Sequence, residues 1–299
     1  MFRRLYRQRR RLALFAVLIA AAFTLMWQYT PELRLFFKHE MQGPNWIRFA
    51  SLGIAVFLVF GAIAVLVISL APGLRRGLEV GAFAYLIMEC LRIVDPVLPL
   101  GLSVEAHYWF GFFLTYIVVE LALAHDVGRK WGLRLPLRAA AERIVRAAPD
   151  AIWAALIPET GAADRHWVEG LVEVKDRPDL GPNVREARYR LGPYGMLVQR
   201  QDRRVDARPY HGVYDFEPND DGPRRSGQSG TFELHCEGIA PGKCKVRITH
   251  TYEDVGLGTW LLLVLDDFVA SELDGVVAHL TERRDWSIAG WQARKLARV

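Results

Sequence analysis

The sequence predicts an all-α transmembrane bundle of four helices, followed by an α+β domain whose antiparallel sheet is closed by one long C-terminal helix. Two observations predict this division. Four apolar runs occupy residues 12–29, 47–71, 78–98 and 104–125, and each is close to the roughly 20 residues that a helix needs to cross a hydrocarbon core. Beyond them the pattern changes to short alternating segments, separated by turns rich in Gly, Pro, Asp and Asn.

Basic residues beside the apolar runs predict the orientation. Six arginines lie within residues 3–11, Arg75 and Arg76 lie between the second and third runs, and four basic side chains lie within residues 129–138. The positive-inside rule places all three clusters on one side. We therefore expect an integral protein of the bacterial inner membrane with its N-terminus and C-terminal domain in the cytoplasm. Much of the net charge of +5 lies beside these runs, so membrane lipids, and not nucleic acid, are the expected partners.

Ionisable side chains within the apolar runs form a candidate intramembrane site. Glu89, Arg92 and Asp95 are spaced three residues apart and share one helix face, and Glu120 lies towards the inner end of the fourth run. Charged groups at such depths are costly unless they are paired or hydrated. Structural pairing within the bundle is the favoured interpretation, and a proton, ion or headgroup path is the alternative. A homo-oligomer formed through the bundle is also compatible with this pattern.

The second half divides into three predicted segments. Residues 126–141 are expected to be a basic juxtamembrane linker, 142–285 the α+β domain, and 286–299 a basic amphipathic tail. Within the domain we expect a strand at 142–148, a short helix at 149–156 and a helical turn near 159–165. Further strands are expected at 166–175, 184–191, 196–205, 209–217, 230–236 and 245–253, and one long helix at 258–284. Asp266 and Asp267 interrupt the apolar beginning of that helix, either as part of a solvated face or as a polar handle near a cavity.

This order of elements resembles the START-like helix-grip superfamily, also called SRPBCC, which includes Bet v 1-type proteins and polyketide cyclase/dehydrase-like lipid-binding domains. The resemblance rests on residues 142–153, where a first strand runs into Ala-Pro-x-x-x-Trp, and on the hairpin spacing and closing helix. It covers about 145 residues. The resemblance implies a curved sheet that grips the long helix, with an apolar cavity between them. It implies no catalytic residue, because the superfamily has no universal catalytic motif.

Strand alternation predicts which side chains line that cavity. On the last strand, His250 and Tyr252 share a face with apolar neighbours, opposite a face that carries charge. The complete predicted lining is Trp153, Tyr189, Tyr210, Tyr214, Phe216, Phe232, Leu234, Ile248, His250, Tyr252, Leu265 and Phe268. His250 and Tyr252 are also the candidates for catalysis, although an inward His–Tyr pair is more often part of a packed core.

Neither a cofactor nor a metal site is expected from the sequence. Cys236 and Cys244 flank a turn and are able to face each other across a hairpin, but cytoplasmic thiols stay reduced. His235 is expected on the opposite strand face from Cys236, which argues against a shared metal site. No Ser/His/Asp order, nucleotide-type glycine loop or metal-ligand spacing stands out in the sequence.

Three functions remain open at this point. The first is a membrane-anchored START-like domain that binds a hydrophobic ligand (a lipid, isoprenoid, quinone or sterol-like molecule) for binding or transfer. The second is a cyclase- or aromatase-like enzyme that acts on a membrane-soluble substrate. The third is an assembly or regulatory membrane protein that uses a domain with a filled core as a docking surface. The segment 260–265 is apolar all round, so it either packs under loops or rests among lipid headgroups.

Overall fold

The computed structural model describes residues 2–29, 35, 44–95, 105–124, 133–190, 195–218 and 228–283. The predicted tail, residues 286–299, lies outside them, as do residues 126–132 of the predicted linker. The chain divides into two compact units, residues 1–127 and 128–299. Each unit is described separately.

The first unit is helical. Its helices are α1 (Phe2–Arg7), α2 (Arg9–Tyr29), α3 (Asn45–Leu70), α4 (Arg76–Val94) and α5 (Glu105–Ala124), with a 3-10 turn at Pro72–Leu74. Within the described residues, two stretches are long and apolar enough to cross a membrane, Arg9–Tyr29 and Trp46–Leu70, and His107–Leu123 is a shorter apolar helix. Helix α4 contains four charged residues among its 19, which lowers its hydropathy. The structure thus supports two candidate crossings where the sequence predicts four.

Ion pairs join charged side chains inside the first unit. Arg11 Nη1 lies 3.3 Å from Glu79 Oε1, and both side chains are buried. Arg92 Nη1 lies 3.6 Å from Glu89 Oε2, and the Tyr108 hydroxyl donates a 2.8 Å hydrogen bond to Glu89 Oε1. Among the remaining predicted polar residues, Glu120 pairs with Arg76 of α4 at 3.4 Å, and Asp95 follows the last residue of α4. Such pairing offsets part of the cost of removing charge from water.

The second unit is built on a seven-stranded antiparallel sheet. Its strands are β1 (Leu135–Val145), β2 (Leu171–Asp176), β3 (Val184–Arg190), β4 (Met196–Ala207), β5 (His211–Pro218), β6 (Gly230–Ala240) and β7 (Lys243–Val255). They pair in the order β1-β7-β6-β5-β4-β3-β2. Helix α6 (Pro149–Leu156) and a 3-10 turn (Ala163–Arg165) follow β1, and α7 (Leu257–Leu265) and α8 (Phe268–Leu280) follow β7. Helix α8 packs on β1 and β7, so the arrangement fits the helix-grip class.

The first strand begins earlier than predicted. Residues 135–141, expected to be linker, pair in β1 with residues 248–255 of β7. Leu137 is buried and Ala139 and Ala141 are half-buried, whereas Arg138 and Glu142 point to solvent. This is the period-two pattern of a strand with one solvated face, but its outward basic residues make it resemble a charged linker. Strand β2, in contrast, begins at Leu171 and not at the predicted residue 166.

The predicted single C-terminal helix is two helices. Helix α7 ends at Leu265, and α8 begins at Phe268. Asp267 between them has a φ of 48°, in the left-handed region, which an L-residue within a continuous helix does not adopt. The two aspartates therefore mark a helix break.

The core lies between the sheet, α8 and α6. From the helices it takes Ile152, Trp153, Leu156, Val269, Leu273 and Val276, and from the strands mainly Phe232, Leu234, Val246 and Ile248. An ion pair between Arg143 of β1 and Asp274 of α8, 2.5 Å long, also joins the sheet to the helix. The side of the sheet that faces α8 is called the inner face below, and the opposite side the outer face.

Candidate ligand site on the inner face of the sheet

The inner face of β5, β6 and β7 is lined with aromatic and apolar side chains. It carries seven of the predicted lining residues, all buried or half-buried: Tyr214, Phe216, Phe232, Leu234, Ile248, His250 and Tyr252. Helix α8 adds Phe268 to this cluster, and α6 adds Trp153. The structure therefore brings together most of the side chains that strand alternation assigns to the predicted cavity.

Three predicted residues lie outside this aromatic cluster. Tyr210 is 56% exposed, because it occupies a turn before β5 begins at His211 and strand alternation does not extend to it. Tyr189 packs at the far end of the sheet beside Leu171, Val174 and Ala187. Leu265 is buried at the last turn of α7.

His250 is enclosed by aromatic rings. Its ring centroid lies 5.0 Å from that of Phe232 and 5.3 Å from that of Phe268, with both rings edge-on. The Tyr252 ring is nearly parallel to it at 6.0 Å. Edge-on and offset-parallel arrangements are the favoured geometries of ring pairs, so these rings hold the imidazole in one orientation.

A carboxylate completes this environment. Glu272 of α8 places Oε2 2.7 Å from His250 Nε2, and the Tyr252 hydroxyl lies 3.5 Å from His250 Nδ1. Burial and the nearby Glu272 charge raise the pKa of Tyr252 well above its usual value, so the phenol keeps its proton and remains able to donate. A hydroxyl, an imidazole and a carboxylate are thus aligned within a largely apolar surface.

Neighbouring residues do not cover His250 and Glu272 completely. The side chains of His250 and Glu272 remain 12% and 17% exposed, although both belong to the interior between sheet and helix. The pair is therefore partly accessible. Largely apolar surfaces with a few convergent polar groups are typical of small-molecule sites.

The inner face becomes polar towards β3 and β4. Arg185 Nε donates to Gln201 Oε1 at 2.8 Å, and Gln201 Nε2 donates to Gln199 Oε1 at 2.7 Å. The Arg185 guanidinium stacks over the Tyr214 ring at 5.2 Å. Burial lowers the pKa of Arg185, and among the described residues no carboxylate forms an ion pair with it. The interior thus changes from an aromatic half to a half rich in hydrogen-bond donors.

Glu272 and Arg185 are absent from the predicted lining. Glu272 lies four residues after Phe268 and four before Val276, so helical spacing places it on their face of α8. Arg185 lies two residues before Ala187 on β3, so strand alternation places it on the same face as that buried alanine. Both signals are present in the sequence, but charge makes each residue look like part of a solvated surface.

The two cysteines of the β6–β7 hairpin are buried free thiols. Burial, together with the neighbouring Cys244, raises the pKa of the Cys236 thiol to about 12. Cys244 donates a 3.3 Å hydrogen bond to the carbonyl of Ala147. His235, in contrast, is exposed on the outer face. The thiols therefore belong to the core.

Comparisons with known proteins add a structural likeness only. No family model matches the chain, and no curated protein matches it. An uncharacterised protein from Bacillus thuringiensis is 15% identical, with a TM-score of 0.35 over 48% of this chain and 99% of that one. A conserved protein from Geobacillus kaustophilus is 13% identical, with a TM-score of 0.37 over 49% and 96%.

A third solved structure, Ara h 8.0201, is 9% identical, with a TM-score of 0.37 over 50% of this chain and 100% of that one. Likeness at this level carries no argument about function. The helix-grip class assigned to the second unit therefore rests on its own strand order and on the packing of α8.

Proposed function

We propose that this protein is a membrane-anchored domain that binds a hydrophobic small molecule with a polar head at the cytoplasmic face of a membrane, for binding or transfer. The ligand class is lipid, isoprenoid, quinone or sterol-like. The observation that carries the proposal is the His250–Glu272 pair, which is surrounded by aromatic rings and remains partly exposed. Burial of the apolar body drives binding, at about 25 cal/mol per Å² removed from water, and the pair orients the polar head.

Helix α7 supports action at a membrane surface. Its residues 260–264 are all apolar and all half-buried, and Leu257 is 39% exposed. A helix that exposes apolar side chains on several faces is suited to the headgroup region of a bilayer. The candidate spanning helices of the first unit would raise the local concentration of this surface over lipid without any further contact. Four crossings, with both termini in the cytoplasm, remain part of this proposal.

The test is the identity of the small molecule that the full chain retains. The chain is purified from its native host and exchanged into discs of one synthetic phospholipid, and the extracted compounds are identified by mass spectrometry. We expect one apolar compound other than the disc lipid, at nearly one per chain. Glu272→Leu should lower its amount at least about tenfold, since a buried hydrogen-bond partner is lost, whereas Glu237→Leu on the outer face should not. A wild-type chain without any compound would overturn the proposal.

A second function, acid–base catalysis, is favoured by one observation. Glu272, His250 and Tyr252 are arranged as a carboxylate, an imidazole and a phenol, with contacts of 2.7 and 3.5 Å, and such a set is able to move a proton on a bound substrate. A cyclase- or aromatase-like protein would use it on a membrane-soluble substrate. The same mass measurement separates the two functions. In a catalyst, His250→Gln and Tyr252→Phe should change the mass of the retained compound from product to substrate, whereas in a binding protein the mass stays the same.

A further inference from the structure

Two histidines and a glutamate meet on the outer face of the sheet, away from the ligand site. His211 of β5 lies directly opposite His235 of β6 in the antiparallel register. Glu233 lies two residues before His235 and so shares its face. The fold therefore gathers three side chains able to ligate a metal from two neighbouring strands.

Their polar atoms converge on one point. His235 Nε2 lies 2.8 Å from Glu233 Oε1, and His211 Nε2 lies 3.5 Å from the same oxygen. The two imidazole rings are nearly parallel, with centroids 4.0 Å apart, and the three ligand atoms all lie within 4.8 Å of one another. A tetrahedral zinc ion with bonds of about 2.0–2.1 Å holds its ligand atoms about 3.4 Å apart. The separations of the ligand atoms thus exceed this value by at most about 1.4 Å, and rotation of the two imidazole rings would direct their nitrogens at one ion.

The exposure and the neighbours of these three side chains are compatible with a bound cation. His211 Nε2 is shielded from solvent and faces Glu233 Oε1 at 3.5 Å. His235 is exposed whereas His211 and Glu233 are half-buried, so the cluster is open to solvent on one side. On the neighbouring strand β7, Thr249 lies opposite Glu233, and the exposed Arg247 lies opposite His235.

We propose that His211, Glu233 and His235 bind a divalent transition-metal cation of the Zn²⁺ class, with at least one coordination position left to water or an external ligand. Two imidazoles and one carboxylate are a ligand set that such ions accept in this open form. The sequence predicts no metal site, because that prediction tests only whether His235 and Cys236 share one. The proposed site instead combines His235 with His211 and Glu233. The inference does not rest on the proposed function, because the two sites lie on opposite faces of the sheet.

The test uses the full chain without any affinity tag, purified in detergent and stripped with a chelator. Zn²⁺ is titrated by calorimetry, and Co²⁺ is titrated by visible absorption as a probe of coordination geometry. We expect one ion per chain, a four-coordinate Co²⁺ spectrum and a higher thermal midpoint. His211→Ala and His235→Ala should each lower the affinity at least about 100-fold, since even outer-shell partners of metal ligands are worth 10–100-fold. His279→Ala removes an exposed histidine of α8 and should leave the affinity unchanged.

Two further variants keep the test decisive if the alanine variants do not fold. Glu233→Gln keeps the size of the side chain but removes its charge, so Zn²⁺ affinity should fall. Arg247→Gln removes a positive charge that stands opposite His235 and should raise the affinity several-fold. Unchanged Zn²⁺ affinity in both of these variants, or in both alanine variants, would overturn the proposal. A stoichiometric ion that is lost only from the His211, His235 and Glu233 variants would support it.

Discussion

His250 and His166 are both enclosed histidines, but their polar partners differ. His250 Nε2 forms a 2.7 Å hydrogen bond with the carboxylate oxygen Oε2 of Glu272. His166 instead accepts a 3.1 Å hydrogen bond from the Val168 amide through Nδ1. Burial, which is the largest cause, and the nearby His279 and Arg185 lower the pKa of His166 to about 3. His250 is thus held against an acidic side chain, whereas His166 serves as a neutral acceptor in the core.

This difference predicts an acid-sensitive domain. The unfolded chain protonates His166 near pH 6.5 and the folded chain only near pH 3, so between these values the unfolded state binds more protons and stability falls as the pH falls. The loss from this residue alone reaches about 2 kcal/mol at pH 5. Urea unfolding of the full chain, followed by the circular dichroism of the sheet, measures it.

In the His166→Asn variant, asparagine supplies an acceptor oxygen for the Val168 amide but does not titrate. Between neutral pH and pH 5 this variant should therefore lose about 2 kcal/mol less stability than the wild type. His279→Gln, on the exposed face of α8, should keep most of the wild-type dependence. An unaltered pH dependence in His166→Asn would contradict this account of the buried histidine.

At the residue scale, alternation along a strand predicts more of the site than composition does. It places His250 and Tyr252 on the inner face because β7 continues without a bulge across both residues. It cannot place Tyr210, because the position where a strand begins is set by its partner strands. Glu272 is missed for a different reason: a single carboxylate on an apolar helix face is usually solvated, and only the packing of α8 against β7 brings it to His250.

Helix α6 is fixed to the sheet by a contact that leaves no spare volume. Trp153 is 2% exposed, and its Nε1 donates a 2.8 Å hydrogen bond to Glu159 Oε1. A Cβ atom added at Gly212 of β5 would lie 2.9 Å from the Trp153 ring, well inside normal contact distance. The glycine is therefore required by the close approach of the indole.

Gly212→Ala should lower the free energy of unfolding by about 1–3 kcal/mol, as overpacking usually does. In a Trp153→Phe background the outer part of the indole is absent, so the same substitution should cost about 1 kcal/mol less. Urea unfolding of the four chains of this double-mutant cycle measures the difference. Purely additive costs would show that the contact does not limit the packing of α6.

The break between α7 and α8 gives a second prediction at this scale. Asp267 has a φ of 48°, where aspartate and asparagine are tolerated and a β-branched residue is strongly strained. Asp267→Val should therefore destabilise the domain by about 1–2 kcal/mol, and Asp267→Asn should stay close to wild type. If thermal unfolding shows equal effects of both substitutions, the backbone conformation is not what sets this break.

Helices and strands with a clear spacing of apolar residues are predicted well from the sequence. The residues at which they begin and end are predicted less well. Helix α6 occupies the predicted residues 149–156, because proline at its first position and the apolar spacing both mark it. The beginning of β1 and the division of the C-terminal helix are misjudged because each depends on tertiary structure. Pairing with β7 extends β1, and a left-handed Asp267 interrupts a run that is apolar on both sides.

At the scale of the whole molecule, a helical unit and a helix-grip unit occur in one chain. The first unit provides two candidate membrane crossings and buries its charges in pairs such as Arg11–Glu79. The second unit encloses an aromatic surface with a polar pair. The proposed function needs both units, since a hydrophobic ligand is most abundant in the membrane that the first unit would occupy.

The proposed function therefore predicts that the second unit lies on the cytoplasmic side of the membrane. A green fluorescent protein fused after Val299 should fluoresce in bacterial cells, and an alkaline phosphatase fused at the same point should be inactive, because the basic flanks favour the cytoplasmic side. The full chain should also resist extraction from membranes by alkaline carbonate. An active phosphatase fusion would place the second unit outside the cytoplasm and would contradict the proposed orientation.

The central claim, that the inner face holds a small hydrophobic molecule, is tested most directly by photo-crosslinking in living cells. A benzophenone-bearing phenylalanine replaces Tyr252 on the inner face of β7, with Glu253 on its outer face as the matched control position. After irradiation, mass spectrometry of the peptide around each position should show a single small-molecule adduct at 252 and none at 253. No adduct at position 252, or the same adduct at both positions, would contradict the account.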